Sequence, residues 1–213
     1  MKILDNQLEH SRLINNPIYR LTGCMDTTRF FSNLASACVK FGYHVEDRIF
    51  EHIENVNLPK LDFIGQSTLF GNVERYILIK PKFGSEVPDV VLVNDNIINV
   101  YEIKVNLRSS DSKKAHGERV KYERLKEYLL KNYPSHITNV FAVDFLGGGG
   151  GATSLYEKAD VFQVVDGESF CRTMGIDYQS VIDDLEKDRE YNQEFIKDYM
   201  ISLWEKPALG YNE

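Results

Sequence analysis

The sequence predicts an α/β (α+β) fold with a central mixed β-sheet flanked by helices, formed as one domain over residues 1–213. Three observations predict it. Three β-rich runs are grouped early, and two of them flank a turn-forming Asn94-Asp95-Asn96. Stretches with helical spacing lie before and after that group. Two more β-rich runs and an acidic helical tail then follow, so the order is helix, three strands that can form a meander, helix, strand, strand, helix.

Taken in order, Thr27 to Phe41 reads as a helix. Asp26 or Thr27 can cap it, Phe30, Leu34, Ala37 and Phe41 recur at helical spacing, and Gly42 ends it. A second helix follows on Val45, Ile49, Ile53 and Val56, stopping before Pro59. Val73 to Lys80 is a strand centred on Tyr76-Ile77-Leu78-Ile79, closed by Pro81 and Gly84. Val90 to Val93 and Ile97 to Tyr101 form the hairpin. Lys113 to Tyr133 is an amphipathic helix with Tyr122, Leu125 and Leu129 as its inner stripe and Pro134 as its stop. Strands over Asn139 to Phe145 and Val161 to Val165 complete a core over roughly 27–165, and 178–206 is an acidic helical tail.

Composition narrows the function classes. With 43% apolar and 12% aromatic residues the chain can bury a core, which excludes disorder as its main state. Cys24, Cys38 and Cys171 form no C-x-x-C pair, and His10, His44, His52, His116 and His136 are scattered, so neither a disulfide framework nor a zinc site is expected. A charge arrives too early in Met1-Lys2-Ile3-Leu4-Asp5 for a signal-peptide core, and no apolar run reaches the roughly 20 residues needed to span a bilayer. A soluble cytoplasmic protein with no membrane association is expected. The net charge of −7 argues against a global electrostatic grip on nucleic acid.

The chemistry lies on the hairpin. Pro88-Asp89 opens its first strand, and Glu102-Ile103-Lys104 ends its second. A two-residue loop at Asp95-Asn96 sets Asn94 opposite Ile97 and therefore Asp89 opposite Glu102, with Cβ atoms roughly 5 Å apart. Lys104, two residues on, shares that face, above an apolar floor of Val91, Val93, Ile98 and Val100. A three-residue loop would shift the pairing by one and break the set apart. Two carboxylates so close repel each other unless a cation joins them, and hard oxygen donors with waters and a phosphate suit Mg²⁺. A metal there can polarise a phosphoryl oxygen while a lysine orients the nucleophile.

Pro88-Asp89, a twelve-residue spacer and Glu102-Ile103-Lys104 together resemble the PD-(D/E)xK nuclease motif, and the element order from roughly 27 to 145 is similar to that superfamily's αβββαβ core. The specific motif is only five residues. The resemblance is greatest to type II restriction endonucleases. It implies that Asp89 and Glu102 ligate Mg²⁺ with the Ile103 carbonyl as a further ligand. Lys104 would position or deprotonate the water, leaving 5′-phosphate and 3′-hydroxyl ends on double-stranded DNA. Members often add an acid from the first helix; Glu46, Glu51 and Glu54 remain open. A homodimer is implied, because cutting a short palindrome needs two sites related by a twofold axis. A structure-specific repair or recombination nuclease and an inactive nuclease-like binding module are the alternatives.

Local charge modifies the global figure. Residues 104–131 carry nine basic against four acidic side chains, a surplus of five, whereas 157–213 carries fourteen acids against six bases. The basic stretch reads equally as a solvated helix face with internal ion pairs and as a phosphate-contacting surface, with Arg108, Lys113 and Lys114 as the candidates for DNA. The acidic tail reads as a solubilising face. The glycine run from Gly147 to Gly151 reads as a flexible loop in preference to a backbone that approaches DNA or a partner closely; no G-K-[ST] follows, so it is no P-loop. The expectation is weak non-specific binding with marked salt dependence, tight only where the basic cleft and the metal act together.

Overall fold

β-branched and aromatic runs in the middle of the chain pair into one five-stranded mixed sheet of order β1-β2-β3-β4-β5. The computed structural model describes residues 17–54, 75–107, 112–147 and 161–205. The elements are α1 (Pro17–Thr22), α2 (Met25–Glu54), β1 (Arg75–Ile79), β2 (Val90–Asn94), β3 (Ile97–Lys104), α3 (Ser112–Asn132), β4 (Ile137–Asp144), β5 (Gln163–Asp166), α4 (Gly167–Met174) and α5 (Tyr178–Glu205). The first three strands form the antiparallel meander, and β4 and β5 add in parallel. The predicted end of the second helix at Val56–Pro59, the start of the first strand at Val73 and Gly148 to Gly151 lie outside the described residues.

The chain divides into two compact units. One is Ile49–Tyr178 and holds the whole sheet; the other joins the described residues up to Arg48 with those from Gln179 onward.

In the sheet unit, alternation decides which residues meet. Tyr76 and Leu78, Val91 and Val93, Ile98 and Val100, and Val140 and Ala142 turn to one face and bury against Tyr122, Leu125 and Leu129 of α3. The predicted inner stripe is therefore the buried face of that helix. On the opposite face Tyr101 stacks on Phe141, and Phe170 of α4 meets it edge-on. That helix starts so close to the sheet that a Cβ on Gly167 would come within 2.4 Å of the Phe145 carbonyl oxygen, which only glycine avoids.

Four helical expectations are corrected. One continuous helix, α2, runs where a break at Gly42 was expected. A glycine costs a helix only about 1 kcal/mol, and Val45, Ile49 and Ile53 continue the spacing beyond it as buried residues. Phe41, one of the residues recurring at helical spacing, is exposed. The start of α2 is capped from Cys24, whose carbonyl accepts from the Thr28 amide and hydroxyl and whose Sγ accepts from the Thr27 amide, so neither Asp26 nor Thr27 is the cap. Finally, α1 and α4 were not anticipated. α1 begins on Pro17, a residue suited to a first helical position. α4 is bounded by Asp166, whose carboxylate accepts from the Ser169 amide at 2.7 Å, and by Gly175 at φ 80°.

In the other unit, α2 and α5 are joined through Asp188. Arg48 donates to both its oxygens, Nε to Oδ2 at 2.8 Å and Nη2 to Oδ1 at 2.9 Å, and His44 Nε2 lies 2.8 Å from Oδ2. Burial pushes the Asp188 carboxyl up, but the Arg48 bonds and charge, with His44, outweigh it and leave the pKa below the ordinary 3.8. Asp188→Asn removes this anion from Arg48, and the variant is expected to lose up to about 3–5 kcal/mol at neutral pH. A depressed folded-state pKa stabilises above the unfolded value and ceases to do so as pH falls through the folded one. Urea unfolding at a series of pH values should therefore show the gap between wild type and variant closing below pH 3.8.

Candidate active site

The β2–β3 pairing runs Asn94↔Ile97, Val93↔Ile98, Leu92↔Asn99, Val91↔Val100 and Val90↔Tyr101, the symmetric register of a two-residue loop. Asp95 supports the turn at φ 49°, a left-handed conformation that Asp tolerates better than most residues. One further step of this register, beyond the paired residues, leads to Asp89 opposite Glu102, and Lys104, two residues along β3 from Glu102, shares that face. The floor beneath them, Val91, Val93, Ile98 and Val100, is fully buried.

Asp89 is anchored on two sides. Its carbonyl accepts from the Lys80 amide at 2.8 Å, which continues the β1–β2 ladder, and its Oδ2 accepts from the Ile103 amide at 2.7 Å. The carboxylate is thereby drawn onto β3 between Glu102 and Lys104.

Glu102 is buried, with only 4% of its surface exposed, and both of its oxygens are engaged. Lys104 Nζ donates to Oε1 at 2.5 Å, Lys121 Nζ donates to Oε2 at 3.3 Å, and the Tyr122 hydroxyl also donates to Oε2. Lys104 additionally donates to Glu118 Oε1 at 3.2 Å. Burial pushes the Glu102 carboxyl up; the Lys104 and Lys121 charges and the bonds from Lys104 and Tyr122 outweigh it, so the group lies below the usual carboxylate range. Burial likewise pulls the Lys104 ammonium down, and Glu102, Glu118 and Asp89 more than reverse that, holding it above the ordinary 10.5. Burial first, then the Glu102 and Asp89 charges, push the Tyr122 phenol well above 10.0.

The hairpin thus brings together Asp89, Glu102, Ile103 and Lys104. It also meets three groups of α3 that were not singled out: Glu118, Lys121 and Tyr122. Tyr122 was assigned to the core stripe, and its ring is indeed buried there, but its hydroxyl reaches past the floor to Glu102. Glu118 lies one helical turn before it, so extending the stripe by four residues was the available signal. A further buried carboxylate, Asp144, pairs in register with Lys104 and accepts from the Leu107 amide at 3.0 Å. A Cβ on Gly147 would fall within 1.9 Å of that carboxylate, so the first residue of the glycine run is needed for close approach.

Other candidates lie elsewhere. Glu51 and Glu54 are exposed on α2, and Glu46 belongs to the other compact unit. Arg108, the Asp111 end of the polar loop and the side chains of Lys113 and Lys114 lie outside the described residues. Arg119 and Arg124 pair with Glu123 and Glu86 at 3.3 and 3.2 Å, contacts of small energetic weight at such exposed positions.

The donor set fits a hard divalent ion. Asp89, Glu102 and the Ile103 carbonyl offer only oxygen, and Mg²⁺ commonly takes one or two carboxylates and keeps several waters. Among the described residues no group of three His, Cys, Asp or Glu side chains is placed to hold a metal ion. Comparison with protein-family models, with curated proteins and with solved structures finds no match. Among the described residues no helix is long and apolar enough to cross a membrane.

Glu102→Gln leaves two partly buried ammonium groups without their anion and should cost about 3–5 kcal/mol at neutral pH. Glu102 has a lowered folded-state pKa, so its stabilisation is present above 4.5 and disappears as pH falls through the folded value. Denaturant titrations should show wild type and variant converging in acid. Tyr122→Phe, which removes one donor from the same carboxylate, should cost about 1–3 kcal/mol in the same measurement.

Proposed function

We propose that the protein is a Mg²⁺-dependent endonuclease that hydrolyses phosphodiester bonds of double-stranded DNA, acting as a homodimer in the manner of a type II restriction enzyme. The observations that carry this reading are the two-residue-loop register of the hairpin, the bond from the Ile103 amide to the Asp89 carboxylate and that from Lys104 to Glu102, which gather the three groups at one end of the hairpin. The element order α2-β1-β2-β3-α3-β4 supports it, being the order of the αβββαβ core that the motif resembles.

Each residue has a physical role in this reading. Asp89 and Glu102 hold the metal, with the Ile103 carbonyl beside them. A bound Mg²⁺ supplies Lewis-acid polarisation of a phosphoryl oxygen and lowers the pKa of a coordinated water. The carboxylates around it hold the Lys104 ammonium above its ordinary pKa, and in this reading Lys104 positions or deprotonates the water and stabilises developing phosphoryl charge. Glu118 also holds that ammonium, its Oε1 3.2 Å from Lys104 Nζ. The basic surplus of residues 104–131 supplies phosphate contacts that position the duplex.

The test is direct. Incubated with plasmid and phage DNA, the protein should give discrete bands with Mg²⁺ and none with EDTA. Asp89→Ala and Lys104→Ala should each lower the cleavage rate by about a hundredfold or more while circular dichroism shows the fold retained. Cutting confined to branched DNA would replace the restriction reading with a structure-specific one. No Mg²⁺-dependent cleavage of any DNA would leave a binding module on the same fold.

A further inference from the structure

The ammonium of Lys121 and a divalent cation would claim the same carboxylate. Lys104 is clasped between two acids, at 2.5 Å from Glu102 Oε1 and 3.2 Å from Glu118 Oε1, and its side chain is 14% exposed. Lys121 is held more loosely, at 3.3 Å from Glu102 Oε2 and 4.0 Å from Glu118 Oε2, and is 24% exposed. Its Nζ also lies 4.8 Å from the centroid of the Tyr122 ring, a contact made in the same position as the bond to Glu102. Of the two lysines on Glu102, Lys121 is the one that can leave.

The local charge balance gives that departure a consequence. Counted as formal charges, Asp89, Glu102 and Glu118 set three negative charges against the two of Lys104 and Lys121, leaving one negative charge over. A divalent ion turns the surplus to one positive charge, which a single phosphodiester group neutralises.

We propose, on the reading that Asp89 and Glu102 hold a divalent ion, that Lys121 is the displaceable counter-ion of Glu102 and, once displaced, a phosphate-binding cation. Lys121 thereby couples the two binding events: it opposes metal binding in the absence of DNA and favours DNA binding in the presence of metal. The coupling is reciprocal by linkage.

The experiment titrates Mn²⁺ calorimetrically into wild type, Lys121→Met, Lys121→Arg and Glu102→Gln without DNA. It then measures the anisotropy of a fluorescein-labelled phosphorothioate duplex with and without Mn²⁺. Lys121→Met should bind Mn²⁺ about tenfold more tightly than wild type, the scale of one half-buried ion pair removed. Lys121→Arg, which keeps the charge, should match wild type. The gain in duplex affinity on adding Mn²⁺ should be about tenfold smaller in Lys121→Met than in wild type. General damage to the fold would weaken metal binding, the opposite direction. Equal or weaker Mn²⁺ binding by Lys121→Met, or an undiminished gain in duplex affinity, overturns the role of Lys121 and leaves the metal site standing. Mn²⁺ binding by wild type and Lys121→Met no stronger than by Glu102→Gln overturns the metal site itself, and this proposal with it.

Discussion

The negative charge of Glu102, kept inside the protein, is the constraint around which the sheet unit is arranged. An ionised carboxylate at 4% exposure loses most of its hydration, a cost that persists unless both oxygens find donors. Lys104 comes from the same strand, but Lys121 and Tyr122 come from α3, so the charge is tolerable only while that helix lies on this face of the sheet. Packing and electrostatics therefore impose one geometry. Leu125 and Leu129 bury against Val91, Val93, Ile98 and Val100, and the same docking carries the phenol and the ammonium to the carboxylate.

Rigidity follows from where these groups are attached. Glu102 and Lys104 project from a paired strand, and Asp89, immediately before β2, is fixed by the bond from the Lys80 amide to its carbonyl. Side chains on such a frame hold their separations more closely than side chains on loops. A slip of one residue would send all three to opposite faces, and the buried floor would then be lost as well, so the hydrophobic pattern protects the ionic one. Lys104 belongs to this frame, and Glu102, Glu118 and Asp89 hold its ammonium above the ordinary 10.5.

Much of the architecture is legible in the chain because it depends on local pattern. The period-two alternation of the hairpin, the Asn-Asp-Asn turn and the stripe of Tyr122, Leu125 and Leu129 each announce themselves within a few residues. The misreadings are equally local in origin. Gly42 carries a helix-ending signature, yet its modest cost is overridden by the burial of Val45, Ile49 and Ile53. α4 escaped notice because eight residues give too little periodicity, and its boundaries rest on the Asp166 cap and on Gly175.

By itself the sequence determined the sheet, its hairpin register and the pairing of Asp89 with Glu102 beside Lys104. Those follow from nearest-neighbour alternation and from the length of one turn, which any reader of the chain can count. Only the tertiary structure decided which further groups meet that set. Glu118 and Lys121 look like ordinary members of a solvated, ion-paired helix, and Tyr122 looks like core. Their common destination depends on how α3 is rotated and docked on the sheet, a choice made by burial summed over the whole face. Residues nineteen and twenty positions from Glu102 along the chain become its hydrogen-bond partners for that reason alone.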